Sequence, residues 1–248
     1  MRTLLAAIRL LMFVVSTLGL YSLWFILNWA VPNKIYWRQV IFAAWTKSFV
    51  WISNMKIDVI GPRPKPPFFL VTNHLSYTDM AAIRAIVPGV FVAKAEIEDW
   101  FLAGRIVRDM GTIFIDRTNR RDIPRAGELI FERLDAGEGV IVFPEGTSTK
   151  GEEVLPFNSS FLEFAARRDL PVSYASIGYR TPPGEIPASL AACWWEDISF
   201  FAHLWRLFHV SEYTAVIKFG PEPVVNKDRK VLAAELTRKV SQLFEPVI

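Results

Sequence analysis

The chain carries one cysteine, Cys193, in 248 residues, so neither a disulfide framework nor a cysteine-built zinc cluster is available to it. Histidine is almost as scarce. Besides His74 there are only His203 and His209, both set among aromatic residues with no carboxylate at metal-ligand spacing, and no metal site is expected. There is no Gly-x-Ser-x-Gly elbow and no Gly-rich phosphate loop, which removes the elbow-type hydrolases and the P-loop nucleotide binders. Internal repeats and low-complexity tracts are missing as well. Charged residues make up only 21% of the chain and net charge is +3. That balance suits an anionic membrane surface. No nucleic-acid-binding motif accompanies the positive charge, so nucleic acid is not an expected partner.

What the sequence has in excess is apolar bulk, with hydrophobic residues at 52% and nine tryptophans. Much of this excess is local. From Leu10 to Val31 no residue is charged, and at about 1.5 Å per residue such a run spans a hydrocarbon core of about 30 Å. It ends in Trp24-Phe25-Ile26-Leu27-Asn28-Trp29 without the small-residue cleavage pattern of a signal peptide. The following segment, Ile35 to Met55, reads as an amphipathic helix. Arg38, Gln39, Thr46, Lys47, Ser53 and Asn54 gather on one side, and Trp37, Val40, Ile41, Ala44, Trp51, Ile52 and Met55 on the other. Cations lie on both sides of the uncharged run: Arg2 and Arg9 before it, Lys34, Arg38, Lys47 and Lys56 after it. Residues 1–56 are therefore expected to form a membrane-anchoring helical hairpin dipping into one leaflet, with a single crossing as the alternative. The expected location is the cytoplasmic membrane, with membrane lipids as partners and the active site facing the cytoplasm.

Residues 57–248 alternate. Strand-like runs at Ile57–Ile60, Phe68–Thr72, Val90–Ala93, Thr112–Ile115, Gly139–Phe143, Val172–Ile177 and Thr214–Phe219 are separated by helical stretches, clearest at Asp122–Leu134, Ser159–Arg168 and Asp228–Phe244. This pattern predicts an α/β fold, a largely parallel sheet flanked by helices. Gly61–Pro67 reads as a linker or a stiff loop within the domain. The segment from Gly178 to His209, irregular and then rich in Trp and Phe, reads as a membrane-facing loop or a lid.

Three of the apolar runs deliver chemistry at their ends. Phe68–Thr72 leads into Asn73-His74-Leu75-Ser76-Tyr77-Thr78-Asp79, and Thr78-Asp79 opens a helical pattern through Val87. His74 and Asp79 thus span a strand-to-helix turn, the place where open α/β sheets bind ligands. A neutral imidazole can take a proton from an alcohol, and a carboxylate behind it fixes its tautomer and stabilises the imidazolium. The run Thr112–Ile115 delivers Arg117, whose guanidinium can hold a phosphate in bidentate fashion. The run Gly139–Phe143 ends in the turn Pro144-Glu145-Gly146-Thr147.

Together these blocks resemble the glycerolipid acyltransferase family, whose type member is 1-acyl-glycerol-3-phosphate acyltransferase. The pattern Asn-His-x4-Asp is met by Asn73, His74 and Asp79. The aromatic-to-arginine block is met by Phe114 and Arg117, and Phe-Pro-Glu-Gly-Thr by Phe143 to Thr147. The resemblance covers about residues 57–220. It implies acyl transfer from acyl-CoA or acyl-carrier protein, as co-substrate, to the hydroxyl of a lysophospholipid, with no other cofactor. It implies His74 as general base and Asp79 as its partner. It further implies Asn73, Lys94, Phe114, Arg117, Glu145, Gly146 and Thr147 at the substrate, Lys94 and Arg117 near the acceptor phosphate. No serine or cysteine stands in a recognisable nucleophile setting, so direct transfer is expected in place of a covalent acyl-enzyme.

Two positions depart from the family pattern. The residue after Thr147 is Ser148, where an arginine associated with the acceptor phosphate is usual. The fourth apolar block reads Leu170-Pro171-Val172-Ser173-Tyr174-Ala175, with Tyr174 where a second proline is common. Ser148 keeps a second acceptor open, such as a lyso-ornithine lipid, beside 1-acyl-glycerol-3-phosphate. A catalytically silent membrane lipid-binding protein on the same fold is the alternative from another class, and retention of His74 with Asp79 argues against it.

Overall fold

The computed structural model of the protein describes residues 2–116 and 122–247. Helices α1 (Arg2–Ala30) and α2 (Lys34–Ile52) form an antiparallel hairpin and lead into strand β1 (Met55–Ile60). Strand β2 (Phe68–Thr72), helix α3 (Thr78–Ile86), β3 (Val90–Lys94), α4 (Ala103–Asp109) and β4 (Ile113–Ile115) follow. Next come α5 (Asp122–Asp135), β5 (Gly139–Val142), α6 (Glu163–Arg167) and β6 (Val172–Arg180). The chain closes with α7 (Ala188–Ala191), α8 (Phe200–His209), β7 (Tyr213–Phe219) and α9 (Arg229–Leu243).

Among the described residues the strands form one sheet of seven, ordered β1-β7-β6-β2-β5-β3-β4. All neighbours are parallel except β6 and β7. The central strands are buried along their whole length, β2 as Phe-Phe-Leu-Val-Thr and β5 as Gly-Val-Ile-Val. Continuous apolar runs of this kind suit a parallel sheet covered on both faces. Gly139 opens β5 because Phe68 of β2 packs over it: a Cβ there would lie 2.2 Å from the Phe68 ring.

Helices cover both faces. α5, α6 and α9 pack on one, with Ala126, Ile130 and Leu134 forming the inward stripe of α5 at helical spacing. The hairpin, α3, α7 and α8 pack on the other. All seven expected strands are present, and the expected helix over Ser159–Arg168 divides into a 3₁₀ turn, Ser159–Leu162, and α6. Gly61–Pro67 joins two strands of one sheet, so it is a loop within the fold.

The hairpin differs from its sequence reading in how α2 is rotated. The face turned to the sheet carries Arg38, Ile41, Phe42, Thr46, Phe49 and Ile52, whereas Trp51 is 70% exposed. Polar residues expected outside are thus buried. Arg38 goes inward because it pairs with the buried Glu138 before β5, which also accepts from Gln39, and Arg84 of α3 donates to the Gln39 carbonyl at 2.8 Å. Phe42 and Phe49 follow it in to meet Phe91 and Phe208. In α1, Arg9 is buried and donates to the carbonyls of Phe208, Val210 and Ser211, pinning the helix to the end of α8. One apolar core therefore runs from hairpin to sheet, and a boundary between residues 56 and 57 falls inside β1.

Candidate active site

Strands β2, β5, β3 and β4 lie side by side and parallel, so the loops after their carboxyl ends share one edge of the sheet. The His74 turn leaves β2, the Pro144–Thr147 turn leaves β5, and Lys94 closes β3. At about 4.8 Å between strands, the end of β3 lies roughly 10 Å from that of β2 and the end of β4 roughly 14 Å.

His74 and Asp79 meet, with Nδ1 2.8 Å from Asp79 Oδ2. The same carboxylate oxygen accepts the amides of Leu75 at 2.7 Å and Ser76 at 3.0 Å, closing the turn that starts α3. Oδ1 accepts the hydroxyl of Tyr179 at 2.7 Å, and Thr78 Oγ1 donates to that hydroxyl at 2.9 Å. Asp79 is fully buried, and four donors offset the cost of taking its charge out of water. Burial holds the Tyr179 hydroxyl well above its ordinary range, so it remains a donor. With the carboxylate facing Nδ1, that nitrogen carries the proton and Nε2 keeps its lone pair. The His74 side chain retains 23% exposure. The arrangement can accept a proton at Nε2 and stabilise the cation that results.

Glu145 supports the same turn from below. Its Oε2 accepts the His74 amide at 3.2 Å and its Oε1 the Leu155 amide at 3.1 Å. Burial pushes this carboxyl up to about 8, against the two amides that lower it, and the charge of Asp79 adds to the rise. The His74 ring stacks on Phe143 at 4.2 Å. Gly146 turns at φ 81°, a backbone region costly for side chains with a Cβ, and Thr147 stands exposed at the rim. Two further bonds hold the turn: the Thr149 amide donates to the His74 carbonyl at 3.0 Å and the Trp194 amide to the Leu75 carbonyl at 2.8 Å.

The remaining expected positions divide. Lys94 is exposed at the end of β3. Phe114 is buried in β4, so its side chain belongs to the core and not to an open surface. Asn73 is fully buried, its amide donating to the Ile177 carbonyl at 2.9 Å and accepting the Ile177 amide at 2.8 Å. Both ends of that amide are used to clamp β2 to β6, beside the site. Arg117 lies outside the described residues. Ser148 Oγ donates to the Trp194 carbonyl at 2.5 Å, so the hydroxyl is committed to the segment that crosses the His74 turn. Ser76 is buried with its hydroxyl turned to the Thr78 amide, and burial pushes the Cys193 thiol up; neither is set as a nucleophile.

Tyr179, Phe143 and Trp194 were not singled out from the sequence. Phe143 sits inside a recognised block, but nothing local marks Tyr179 or Trp194, which reach the turn from more than 100 residues away. Beside the site an apolar cavity opens between the hairpin, α3, β3 and α4, lined by Ile41, Phe42, Trp45, Met80, Phe91 and Met110 among others. Phe91 stacks on Phe143 at 5.9 Å, so two rings link the cavity to His74.

The known proteins to which this chain is similar are acyltransferases. The family model described as Acyltransferase matches residues 56–177. The chain is 31% identical over 245 residues to a lyso-ornithine lipid O-acyltransferase of Pseudomonas aeruginosa, covering 98% of this chain and 92% of that one. It is 30% identical over 168 residues to a 1-acyl-sn-glycerol-3-phosphate acyltransferase of Neisseria gonorrhoeae, covering 67% of this chain and 65% of the other. The fold is that of the 1-acyl-sn-glycerophosphate acyltransferase PlsC of Thermotoga maritima, with a TM-score of 0.68, 22% identity and 98% of each chain covered.

Proposed function

Because the chain belongs to the glycerolipid acyltransferase family, we propose that it moves a fatty acyl group from acyl-CoA or acyl-carrier protein to the free hydroxyl of a lysophospholipid, 1-acyl-glycerol-3-phosphate first, giving phosphatidic acid. The observation that carries this reading is the polarised His74–Asp79 pair with an apolar cavity beside it. His74 Nε2 takes the hydroxyl proton as the oxygen attacks the thioester carbonyl. The tetrahedral intermediate then collapses, the C–S bond breaks, and the imidazolium returns its proton to the leaving thiolate. General-base assistance of this kind is worth about 10²- to 10⁴-fold in rate. Asp79 orients the ring and stabilises the imidazolium. Lys94 and Arg117 bind the acceptor phosphate, and Glu145 with the Gly146-Thr147 backbone shapes the glycerol site. The cavity takes an acyl chain, which is costly to hold in water at about 0.8 kcal/mol per CH₂. The hairpin seats the enzyme on the cytoplasmic membrane, entering one leaflet, with the site facing the cytoplasm. Its support is α1, long and apolar enough to cross a membrane yet only 6% buried over its most apolar window.

Two observations favour a second acceptor, a lyso-ornithine lipid. Ser148 replaces the usual arginine and its hydroxyl is spent on Trp194, and the relative matched over 98% of the chain acts on that lipid by name. Purified protein assayed against both lysolipids, with acyl-CoA and acyl-carrier protein in parallel, separates the readings. His74→Ala is expected to abolish turnover while the protein stays folded; near-normal turnover in that variant would defeat the mechanism. Ser148→Arg is expected to shift preference toward 1-acyl-glycerol-3-phosphate if the native acceptor is the ornithine lipid, and to leave it in place otherwise.

A further inference from the structure

Between β3 and α4 the chain reaches out in three consecutive apolar residues. Trp100 is 42% exposed, Phe101 96% and Leu102 44%. Phe101 is the most exposed large apolar side chain among the described residues. Burying a side chain of this size is worth about 1.5–3 kcal/mol, so a fold that leaves it wholly in water gains nothing from it there.

The surroundings indicate what covers it. On one side, Trp100 packs edge-on against Trp194, whose amide binds the Leu75 carbonyl next to His74. The loop therefore stands at the rim of the site. On the other side it leads into α4, about 10 Å long at 1.5 Å per residue. The last residue of α4, Asp109, accepts the hydroxyl of Tyr21 in α1 at 2.6 Å, and Arg105 stands beside Tyr21 as well. The loop thus stands about one α4 length from α1, whose outer side exposes Leu11, Val15 and Leu18. Charges of both signs border it: Lys94 and Arg105 are exposed, as are Glu96 and Asp99, while Glu98 pairs with Arg108. Tryptophan and phenylalanine at an exposed loop tip suit the headgroup level of a bilayer, where Lys94 and Arg105 can meet anionic lipid.

We infer that Trp100-Phe101-Leu102 is a second bilayer contact, a loop that inserts into the same leaflet as the hairpin at the mouth through which the lysolipid reaches His74. The inference rests on the membrane-surface reading above and adds to it where the acceptor enters. Water-soluble substrate has no need of the loop, whereas lipid leaving a bilayer passes it.

The full-length protein tests this. Cys193 is buried, so Phe101→Cys takes an environment-sensitive fluorophore selectively, and Lys227→Cys, exposed near the start of α9, serves as the reference. In vesicles of phosphatidylcholine and phosphatidylglycerol, the dye at 101 is expected to shift to the blue and to be quenched by lipids carrying a shallow nitroxide, and the dye at 227 to do neither. Phe101→Ser is expected to raise the acceptor KM about tenfold for vesicle-borne lysolipid, leaving kcat and the KM for a monomeric short-chain lysolipid unchanged. Vesicle-bound protein whose position 101 stays unquenched overturns the inference while sparing the hairpin. Equal kinetic loss on vesicle and monomer overturns it too, since that marks a substrate or folding contact. Failure of the parent protein to bind vesicles overturns both readings.

Discussion

At the scale of single residues, the site depends on Asp79 more than its short sequence motif suggests. One of its oxygens serves His74 and two backbone amides, and the other serves Tyr179 alone. Removing that phenol leaves a buried acceptor unpaired, which costs about 1–3 kcal/mol. Tyr179→Phe is therefore expected to lower kcat about tenfold while both KM values hold, because the tyrosine acts through Asp79 and touches no substrate. Steady-state kinetics decide it: a rise in KM with kcat preserved would place Tyr179 in substrate binding. Asn73 teaches the opposite lesson. It belongs to the motif yet is consumed by the backbone of Ile177, so a motif position can be kept for architecture beside the chemistry.

Among the elements, the turn into α3 is tied to α8 by a buried polar contact. His203 Nε2 donates to the Cys193 carbonyl at 2.9 Å, which leaves Nδ1 to accept the Tyr77 hydroxyl at 3.0 Å. Burial pushes this imidazole down to about 4, and Arg206 adds to the fall against the Cys193 carbonyl and Glu196. The unfolded chain holds a proton on this histidine below about 6.5, and the folded one does not until about 4. Stability from His203 is thus complete above 6.5 and is lost as pH falls toward 4. In melting experiments across that window, His203→Gln is expected to narrow its deficit against the parent as the medium becomes acidic, because glutamine does not titrate. A deficit that stays constant would show that His203 does not set the acid limit.

At the scale of the whole molecule, the hairpin packs into the same core as the sheet. Phe13 of α1 packs on Phe208 of α8, and Phe42 and Phe49 of α2 pack on Phe91 and Phe208. Arg38 and Glu138 are paired in the interior, and breaking such a pair costs about 3–5 kcal/mol. Removing residues 1–54 uncovers the part of that face, and of α3 and α8, on which the hairpin packs, takes Gln39 from Arg84 and leaves Glu138 with only the longer contact to Arg133. The expected product is aggregated protein in the void volume of a sizing column, even though every motif remains. A monodisperse, active truncation would mean that the hairpin is only an anchor.

The seven strands, the turn placing His74 near Asp79 and the long apolar helix were legible in the sequence because each is written in local periodicity, in runs of a few residues bounded by turn formers. A strand-to-helix turn of six residues brings its own ends together, so the His74–Asp79 pair needed no tertiary knowledge. The rotation of α2 was not legible, since Arg38 points inward only because Glu138 waits there. Nor was Tyr179, whose value lies in meeting Asp79 across 100 residues, nor the commitment of Ser148 to Trp194. Those are matters of which strand lies beside which and of what each buried polar group finds when it arrives. Local pattern specifies that a side chain will be buried; only the assembled packing decides its partner.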